Sequence, residues 1–237
     1  VVDRTNPNNI ITGNPNLRPS YSHNIRAGYR NFDFSKRSGI FSYFNMNFTE
    51  KSVVARTITD TTDLSRTTTY TNVDGVMSAS LGIFYNKQKK NENKEFRYRL
   101  SLNANYNKNV GFSNGVQFDS ENISVSPSVM LTYAIDDIIE LNPSIGIDYN
   151  NSHYSISTLN EQEFVNQRAG LEVTTYWPKN IVFGNDISYN KFGNVSSEFD
   201  NTSILWITSL GYQFWEEKAN IKLKVYDVLD QVINTRR

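Results

Sequence analysis

The chain has 237 residues, which is enough for one large β unit or two small domains. Its 24 Lys and Arg residues equal its 24 Asp and Glu residues in number, so the global charge gives no indication of a nucleic-acid partner or an anionic surface. The sequence contains no cysteine, which excludes disulfide bonds and thiolate metal sites.

Hydrophobic residues make up 38% of the chain, and no stretch approaches the ~20 consecutive apolar residues of a membrane helix. A transmembrane β-strand needs only ~9–11 residues, of which every second one is apolar. A polar average composition is therefore compatible with a β membrane protein, and the pattern along the chain has to decide.

Alternation of apolar and polar residues with period two predicts about ten strands, and no window of comparable length has the 3.6-residue stripe of a helix. In chain order the apolar positions run from Ile25 to Tyr29, Phe44 to Phe48, Met77 to Tyr85, Phe96 to Tyr106, Ile123 to Tyr133, Leu141 to Tyr149, Ala169 to Thr175, Ile181 to Tyr189, Ile204 to Phe214 and Ile221 to Val225. Pro127 and Pro143 cannot donate to a ladder, so we expect them near strand starts or at bulges.

The predicted links between strands alternate in character. One set is short and comprises residues 33–38, 88–94, 136–137, 178–180 and 216–218. The other set is longer and richer in Asn, Ser, Thr and Gly, and comprises residues 57–66, 108–120, 151–162 and 190–200. Short periplasmic turns at one end and longer extracellular loops at the other are typical of outer-membrane barrels.

Aromatic residues concentrate at both ends of the predicted strands. Beside the short turns are Tyr85, Phe96, Tyr133, Trp177, Phe214 and Trp215, and toward the long loops are Tyr106, Tyr149, Tyr154, Phe164, Tyr189 and Phe199. Aromatic rings with a polar handle favour the headgroup level of a bilayer. We therefore predict two belts at the lipid interface, whereas the core of a soluble sandwich would concentrate its aromatic residues in mid-strand.

Charged residues within the strands keep the phase opposite to the aliphatic set. They are Arg97, Arg99, Asp148, Arg168, Glu172, Asp186, Lys222 and Lys224. A charge on the lipid face would cost ~2–4 kcal/mol near the bilayer midplane. We therefore predict that these side chains face a lumen, where they either contact a plug or solute or form a generic hydrated wall.

These patterns predict an all-β fold, an antiparallel up-and-down transmembrane β-barrel segment of about ten strands in the bacterial outer membrane. The chain begins at Val1 without an initiator Met and ends at Arg237. We interpret residues 1–237 as a partial barrel of a longer protein, with the final strands outside it. Leu100, Leu131, Ile145, Leu171 and Leu223 should share the lipid face.

The segment Gly13–Pro19 (Gly-Asn-Pro-Asn-Leu-Arg-Pro), followed by Asn24 and Gly28-Tyr29, resembles a signature of TonB-dependent outer-membrane receptors. That signature usually continues with Glu after the second proline, where this chain has Ser20. Residues 69–75 and 223–231 are similar to stretches of the outer membrane protein β-barrel family of Bacteroidota. The resemblance implies a longer protein with an N-terminal plug, a TonB box and a barrel of about 22 strands.

Few residues are candidates for a catalytic or metal-binding site. His23, His153 and the pairs Asp136-Asp137 and Glu216-Glu217 fit polar loop edges and solvated turns better than catalytic groups. Asp60, Asp63 and Asp74 are a weak candidate for calcium, because their spacing fits no defined binding loop. We expect no enzyme activity, no cofactor and no metal.

The expected function is ligand uptake across the outer membrane, with lipid, a plug domain, the TonB system and an unidentified ligand as partners. Two alternatives remain open from the sequence. One is a plug-less barrel for export or adhesion, and the other is a soluble β-rich module that binds carbohydrate.

Overall fold

The computed structural model describes residues 2–3, 9–194, 201–215 and 218–231, with side chains from residue 9 onward. Phe199 and the pair Glu216-Glu217 lie outside these residues. Every regular element in the described part is a strand. None of these residues belongs to a helix long and apolar enough to span a membrane.

The strands are defined in chain order and are referred to by these labels below. They are β1 (Val2–Asp3), β2 (Asn9–Thr12), β3 (Tyr21–Asp33), β4 (Ser38–Glu50), β5 (Ser52–Thr59), β6 (Arg66–Val73), β7 (Val76–Lys90), β8 (Lys94–Ser113), β9 (Val116–Ile135), β10 (Ile139–Tyr154), β11 (Gln162–Thr175), β12 (Ile181–Lys191), β13 (Thr202–Phe214) and β14 (Ala219–Val225).

A 10-stranded sheet carries most of the chain, in the order β14-β13-β12-β11-β10-β9-β8-β7-β4-β3. Every neighbouring pair in it is antiparallel, which confirms the prediction of about ten strands in an up-and-down arrangement. Within the described residues β3 and β14 are the two edges of this sheet. In a bilayer such edges require partners, because backbone groups in lipid must be hydrogen-bonded.

A second, 4-stranded sheet has the order β1-β2-β6-β5. The β5–β6 hairpin leaves the main sheet after β4 and the chain returns to it at β7, which pairs directly with β4. The sequence pattern predicts a loop at residues 57–66, but only residues 60–65 lie outside the strands of this hairpin. β2 pairs in parallel with β6, and this pairing joins the N-terminal segment to the hairpin.

The two prolines lie within strands and not at strand starts or bulges, so that expectation was wrong. The β9–β10 ladder has two gaps. One is at Asn142 and Pro143, and the other is at Ile147 and Asp148, where the register places Ile147 opposite Pro127. The register is the same on both sides of each gap, so no residue is inserted. A proline has no backbone N–H to donate, and the sheet accommodates it by losing local ladder bonds without shifting.

The predicted long loop at residues 108–120 is also wrong. β8 continues to Ser113 and β9 begins at Val116, so Asn114-Gly115 alone connects two 20-residue strands. Both residues have positive φ, 46° and 82°, as a type I′ hairpin turn requires. Asn-Gly was therefore a stronger local signal than the polar composition around it.

The main sheet is a single layer. Among the described residues the only buried hydrophobic side chains are Val73 and Val110. Ile145 and Leu223 remain 59% and 67% exposed. A β-sandwich would bury its apolar face against a second sheet, whereas a barrel in a membrane places that face against lipid.

Residues that pair directly across strands lie on the same side of a sheet, so the register defines two faces. Leu100, Leu131, Ile145, Leu171 and Leu223 share one side, which we call the apolar face. The opposite side, which we call the polar face, consists mainly of Ser, Asn, Gly and charged residues.

Candidate functional site

The polar face holds every strand residue that the sequence assigns to a lumen. These residues are Arg97 and Arg99 on β8, Asp148 on β10, Arg168 and Glu172 on β11, Asp186 on β12, and Lys222 and Lys224 on β14. Alternation alone fixed their common phase along each strand. Their positions relative to one another depend on the cross-strand register.

A cavity of about 400 Å³ lies on this face and is lined by side chains of both charges. Arg97 and Arg99 of β8 form its basic wall. Glu140, Glu172 and Asp186, from three consecutive strands, form its acidic wall. The cavity lies toward the short-turn ends of these strands, and its volume falls within the ~300–1,000 Å³ typical of small-ligand sites. We call it the charged cavity.

Small residues make room for the charged cavity. Arg99 pairs with Met130, Met130 with Ser144, Ser144 with Gly170, and Gly170 with Ser188, so one row crosses five strands. A Cβ atom at Gly170 would lie 2.8 Å from Ser144 Oγ, which is too close for an undisturbed contact. The absence of a side chain at Gly170 therefore keeps the floor between the two walls open.

Some charged side chains on the polar face are paired with or hydrogen-bonded to neighbouring side chains. Arg168 holds Asp148 through two bonds, Nε to Oδ2 at 2.8 Å and Nη2 to Oδ1 at 2.9 Å. Arg97 pairs with Glu95, and Asn142 donates to Glu140 over 2.9 Å.

Other charges of the charged cavity form no ion pair with a residue that the structure describes. Among the described residues the one hydrogen-bond contact of the Arg99 guanidinium is with the thioether of Met130, at 4.0 Å. Glu172 and Asp186 face each other directly across β11 and β12. Neither forms an ion pair with any described residue. Among the described residues, the charges of the cavity without an ion pair are thus the guanidinium of Arg99 and three carboxylates, because Glu140 accepts only from the neutral amide of Asn142.

An aromatic cluster on the polar face was not anticipated from the sequence. Phe41 and Tyr43 on β4 and Phe84 on β7 form a triangle, with ring centroids 6.0–6.3 Å apart. Tyr43 lies over Gly82, because a Cβ atom there would be 2.2 Å from its ring. The sequence contains the alternation that would place these rings, because they alternate with the apolar-face residues Phe44 and Ile83. In strands with apolar residues on both faces, however, the pattern does not show which residues face which side.

The two sequence stretches with receptor-like motifs contact each other at the base of the β5–β6 hairpin. Asn14 donates to the carbonyl of Tyr70 over 2.8 Å. Asn72 accepts from the Arg18 amide at 2.7 Å and donates to the carbonyls of Arg18 and Lys51 at 2.9 and 2.7 Å. The Asn-Pro-rich segment is therefore tied to the hairpin by side-chain to backbone bonds.

Lys51 is the point where the chain leaves the main sheet. Its φ is 51°, in the left-handed region, which is costly for a residue with a Cβ atom. Its amide donates to Asp74 Oδ1 over 2.8 Å, and its carbonyl accepts from Ser20 Oγ over 2.7 Å as well as from Asn72. These bonds hold the backbone in its strained conformation, and we call this group the Lys51 clamp.

The acidic residues considered for calcium do not converge. Asp60 accepts from the Thr62 amide and Asp63 from the Ser65 amide, at 2.7 and 2.9 Å, while Asp74 belongs to the Lys51 clamp. Hydrogen bonds from Ser65, first from its hydroxyl and then from its amide, hold the pKa of Asp63 below its usual value. In the described part of the chain no group of three or more His, Asp or Glu side chains could hold a metal ion.

The two histidines pair with glutamates at the loop ends of their strands. His23 Nε2 lies 3.5 Å from Glu50 Oε1, and His153 contacts Glu161. All four side chains are substantially exposed. Neither histidine lies near the charged cavity, which agrees with the interpretation of both as polar loop-edge residues.

The aromatic residues expected at the two interfaces divide into three groups. On the apolar face are Tyr85, Phe96, Tyr106, Tyr133, Tyr149, Tyr189 and Phe214. Trp177 and Trp215 lie in turns and are highly exposed. Tyr154 and Phe164 pair with Ser120 and Asn150 on the polar face, so they do not share a side with the others.

One polar spot interrupts the apolar face. Asn185 lies opposite Thr208, and its Oδ1 accepts from the indole Nε1 of Trp206 over 3.0 Å. Thr208 Oγ1 donates to the carbonyl of Gly184 over 3.2 Å. The indole N–H and the threonine hydroxyl thus both have acceptors within the sheet, which lowers the cost of placing these donors on an apolar face.

Comparison with known proteins agrees with this architecture. Residues 1–135 match the family described as "Outer membrane protein beta-barrel family". No curated protein matches the chain. Among solved structures the chain is similar to Ail, the attachment invasion locus protein of Yersinia pestis, at 15% identity over 74% of this chain and 96% of Ail, with a TM-score of 0.25. Since the family match covers more than half of its residues, the chain belongs to the outer membrane protein beta-barrel family and is a β-barrel protein of the bacterial outer membrane.

Proposed function

We propose that this chain forms part of the wall of a TonB-dependent-receptor-like barrel, of the type found in Bacteroidota, which takes up a ligand across the outer membrane. The observation that carries the proposal is the charged cavity on the polar face of a sheet whose other face is apolar. The receptor-like motif at residues 13–19 supports the same function. It is tied to the external hairpin by Asn14 and Arg18.

In this proposal the apolar face contacts lipid and the polar face lines a water-filled lumen. Arg99, Glu172 and Asp186 have no partner charge among the described residues, and each would cost ~2–4 kcal/mol on a lipid face near the midplane. In a hydrated lumen the same side chains keep their solvent. The described sheet is one part of the closed ladder, and a plug domain elsewhere in the protein occupies the lumen.

The lumen assignment can be tested by cysteine accessibility, because the chain has no cysteine of its own. We expect Ser126→Cys on the polar face to react with a charged, water-soluble maleimide in the full-length protein in intact outer membranes. Val125→Cys, its neighbour on the apolar face, should stay unreactive until detergent replaces the lipid. Equal labelling of the two variants would contradict the assignment.

Uptake itself is tested in cells that produce the full-length protein. Accumulation of the ligand should require the protein, the proton-motive force and TonB, because a plugged barrel opens only when energised through the plug. Uptake that is lost on deletion of the protein but not on deletion of TonB would contradict an energised receptor and indicate a plug-less barrel. Uptake that neither deletion affects would support the alternative of export or adhesion. The family match leaves no support for the soluble carbohydrate-binding alternative.

A further inference from the structure

We propose that the charged cavity binds a short zwitterionic peptide, with the peptide carboxylate at Arg99 and its ammonium group between Glu172 and Asp186. The inference rests on the proposed function in one respect, because the polar face has to line the lumen for a peptide to reach the cavity. Three independent features of the cavity support it.

The first feature is a guanidinium available to an anion. Arg97 is already paired with Glu95, whereas the only described polar contact of Arg99 is the weak one to Met130 Sδ at 4.0 Å. A guanidinium presents two parallel N–H donors that match a carboxylate. Arg99 therefore offers a carboxylate a site that no group in the described part of the chain fills.

The second feature is a pair of like charges. Glu172 and Asp186 lie directly opposite each other on β11 and β12, and like charges in that position destabilise a sheet. No described cation forms an ion pair with either residue. An ammonium group between the two carboxylates would remove the repulsion and gain two charge-assisted hydrogen bonds.

The third feature is the separation of the two walls. β8 and β11 are three strand spacings apart, which is ~14 Å at ~4.8 Å per spacing, and the Arg99 guanidinium shortens this distance because it extends over β9 to Met130. A peptide extends ~3.3–3.6 Å per residue, so two or three residues fit between the charges. The cavity of about 400 Å³ accommodates a ligand of that length.

Uncharged polar groups line the path between the walls. Thr132 lies beside the basic wall and Asn142 beside the acidic wall, and both contact the cavity. Their hydroxyl and amide groups can bond the peptide groups of a ligand in either direction. The small floor residues Ser144, Gly170 and Ser188 leave the ligand backbone room to approach the sheet.

The test measures binding of triglycine to the full-length protein in micelles by calorimetry. We expect triglycine to bind, while acetyl-triglycine and triglycine amide, which each lack one terminal charge, bind about 3- to 10-fold more weakly. The variants Arg99→Gln and Glu172→Gln/Asp186→Asn should weaken triglycine binding by a similar factor. Lys224→Gln and Glu163→Gln, which remove charges outside the cavity, should leave it unchanged.

Thermal unfolding of the same variants serves as the control for folding. Glu172→Gln/Asp186→Asn relieves the repulsion, so we expect a melting temperature equal to or above that of the unmodified protein. Equal affinity for triglycine and its blocked forms, or unchanged affinity in Arg99→Gln, would overturn the inference. Failure of the TonB test with charge-dependent binding intact would overturn only the proposed function.

Discussion

At the scale of single residues, the hydrogen bond between Trp206 and Asn185 on the apolar face gives a testable stability prediction. The indole N–H satisfies the carboxamide oxygen at 3.0 Å, and a buried polar group left without its partner costs ~1–3 kcal/mol. We expect Trp206→Phe to destabilise the barrel by about that amount, beyond the small loss of apolar area. Reversible unfolding in lipid vesicles measures the difference.

Asn185→Leu provides the matched comparison, because it removes both the need for a partner and the polar group. In the Trp206→Phe background it should restore most of the lost stability, so the double-mutant cycle should show coupling between the two positions. Additive effects would mean that the hydrogen bond at this spot contributes nothing.

The Lys51 clamp depends on one asparagine side chain. Asn72 makes three hydrogen bonds to the backbone of Arg18 and Lys51. We predict that Asn72→Ala loosens the β5–β6 hairpin, seen as faster hydrogen exchange at residues 51–55 and 70–74, while exchange in β9 and β10 stays unchanged. Asn47→Ala, which removes an asparagine from the polar face of β4, should alter neither region.

Asp63, in the loop between β5 and β6, gives a pH-dependent prediction. Its pKa is below the usual value because Ser65 donates to its carboxylate through its hydroxyl and its amide. The contribution to loop stability is therefore present above the unfolded pKa of ~3.9 and is lost as pH falls through the lower folded pKa. In Ser65→Ala a carboxyl carbon NMR titration should show the Asp63 pKa moving upward.

At the scale of elements, the β8–β9 hairpin depends on its two-residue turn. Gly115 has φ of 82°, and a Cβ atom there would lie 3.2 Å from Cγ1 of Ile58 on the neighbouring hairpin. Gly115→Val should therefore destabilise the tip by ~1–2 kcal/mol through backbone strain, with the contact to Ile58 adding to it. Protease cleavage near residues 110–119 reports the opening.

The comparison for that turn is Asn114→Gly, which accepts the same left-handed conformation. The protease should cleave this variant at nearly the same rate as the unmodified protein, with only a small increase from the added chain entropy of glycine. Rapid cleavage of both variants would show that turn geometry does not hold the tip together.

The existence of the ten strands of the main sheet was predictable because alternation is a local property of each strand, whereas the strands of the 4-stranded sheet were missed. Element length was less predictable. Residues 107–120 are mostly polar and resemble a loop in composition. Antiparallel pairing nevertheless extends β8 to Ser113 and lets β9 begin at Val116, beyond the part of these strands that alternates with apolar residues. Outside the bilayer a strand no longer needs apolar residues, so composition stops indicating where it ends.

At the scale of the whole molecule, the two faces predict opposite responses to the same substitution. Leu102 lies on the apolar face and Asn103, the next residue, on the polar face. We expect Leu102→Arg to destabilise the protein folded in lipid vesicles by ~2–4 kcal/mol. Asn103→Arg should change the stability little. Equal losses would mean that the polar face does not line a hydrated lumen.

The sequence by itself determined the fold class, the approximate number of strands in the main sheet, the phase of those strands and the common side of the charged residues. All of these follow from the alternation of neighbouring residues. The tertiary structure alone decided that Arg99 faces Glu172 and Asp186 across one cavity, and that Asn72 holds Arg18 and Lys51. Those contacts join residues tens of positions apart, and their positions depend on the register of every strand between them, which no local pattern encodes.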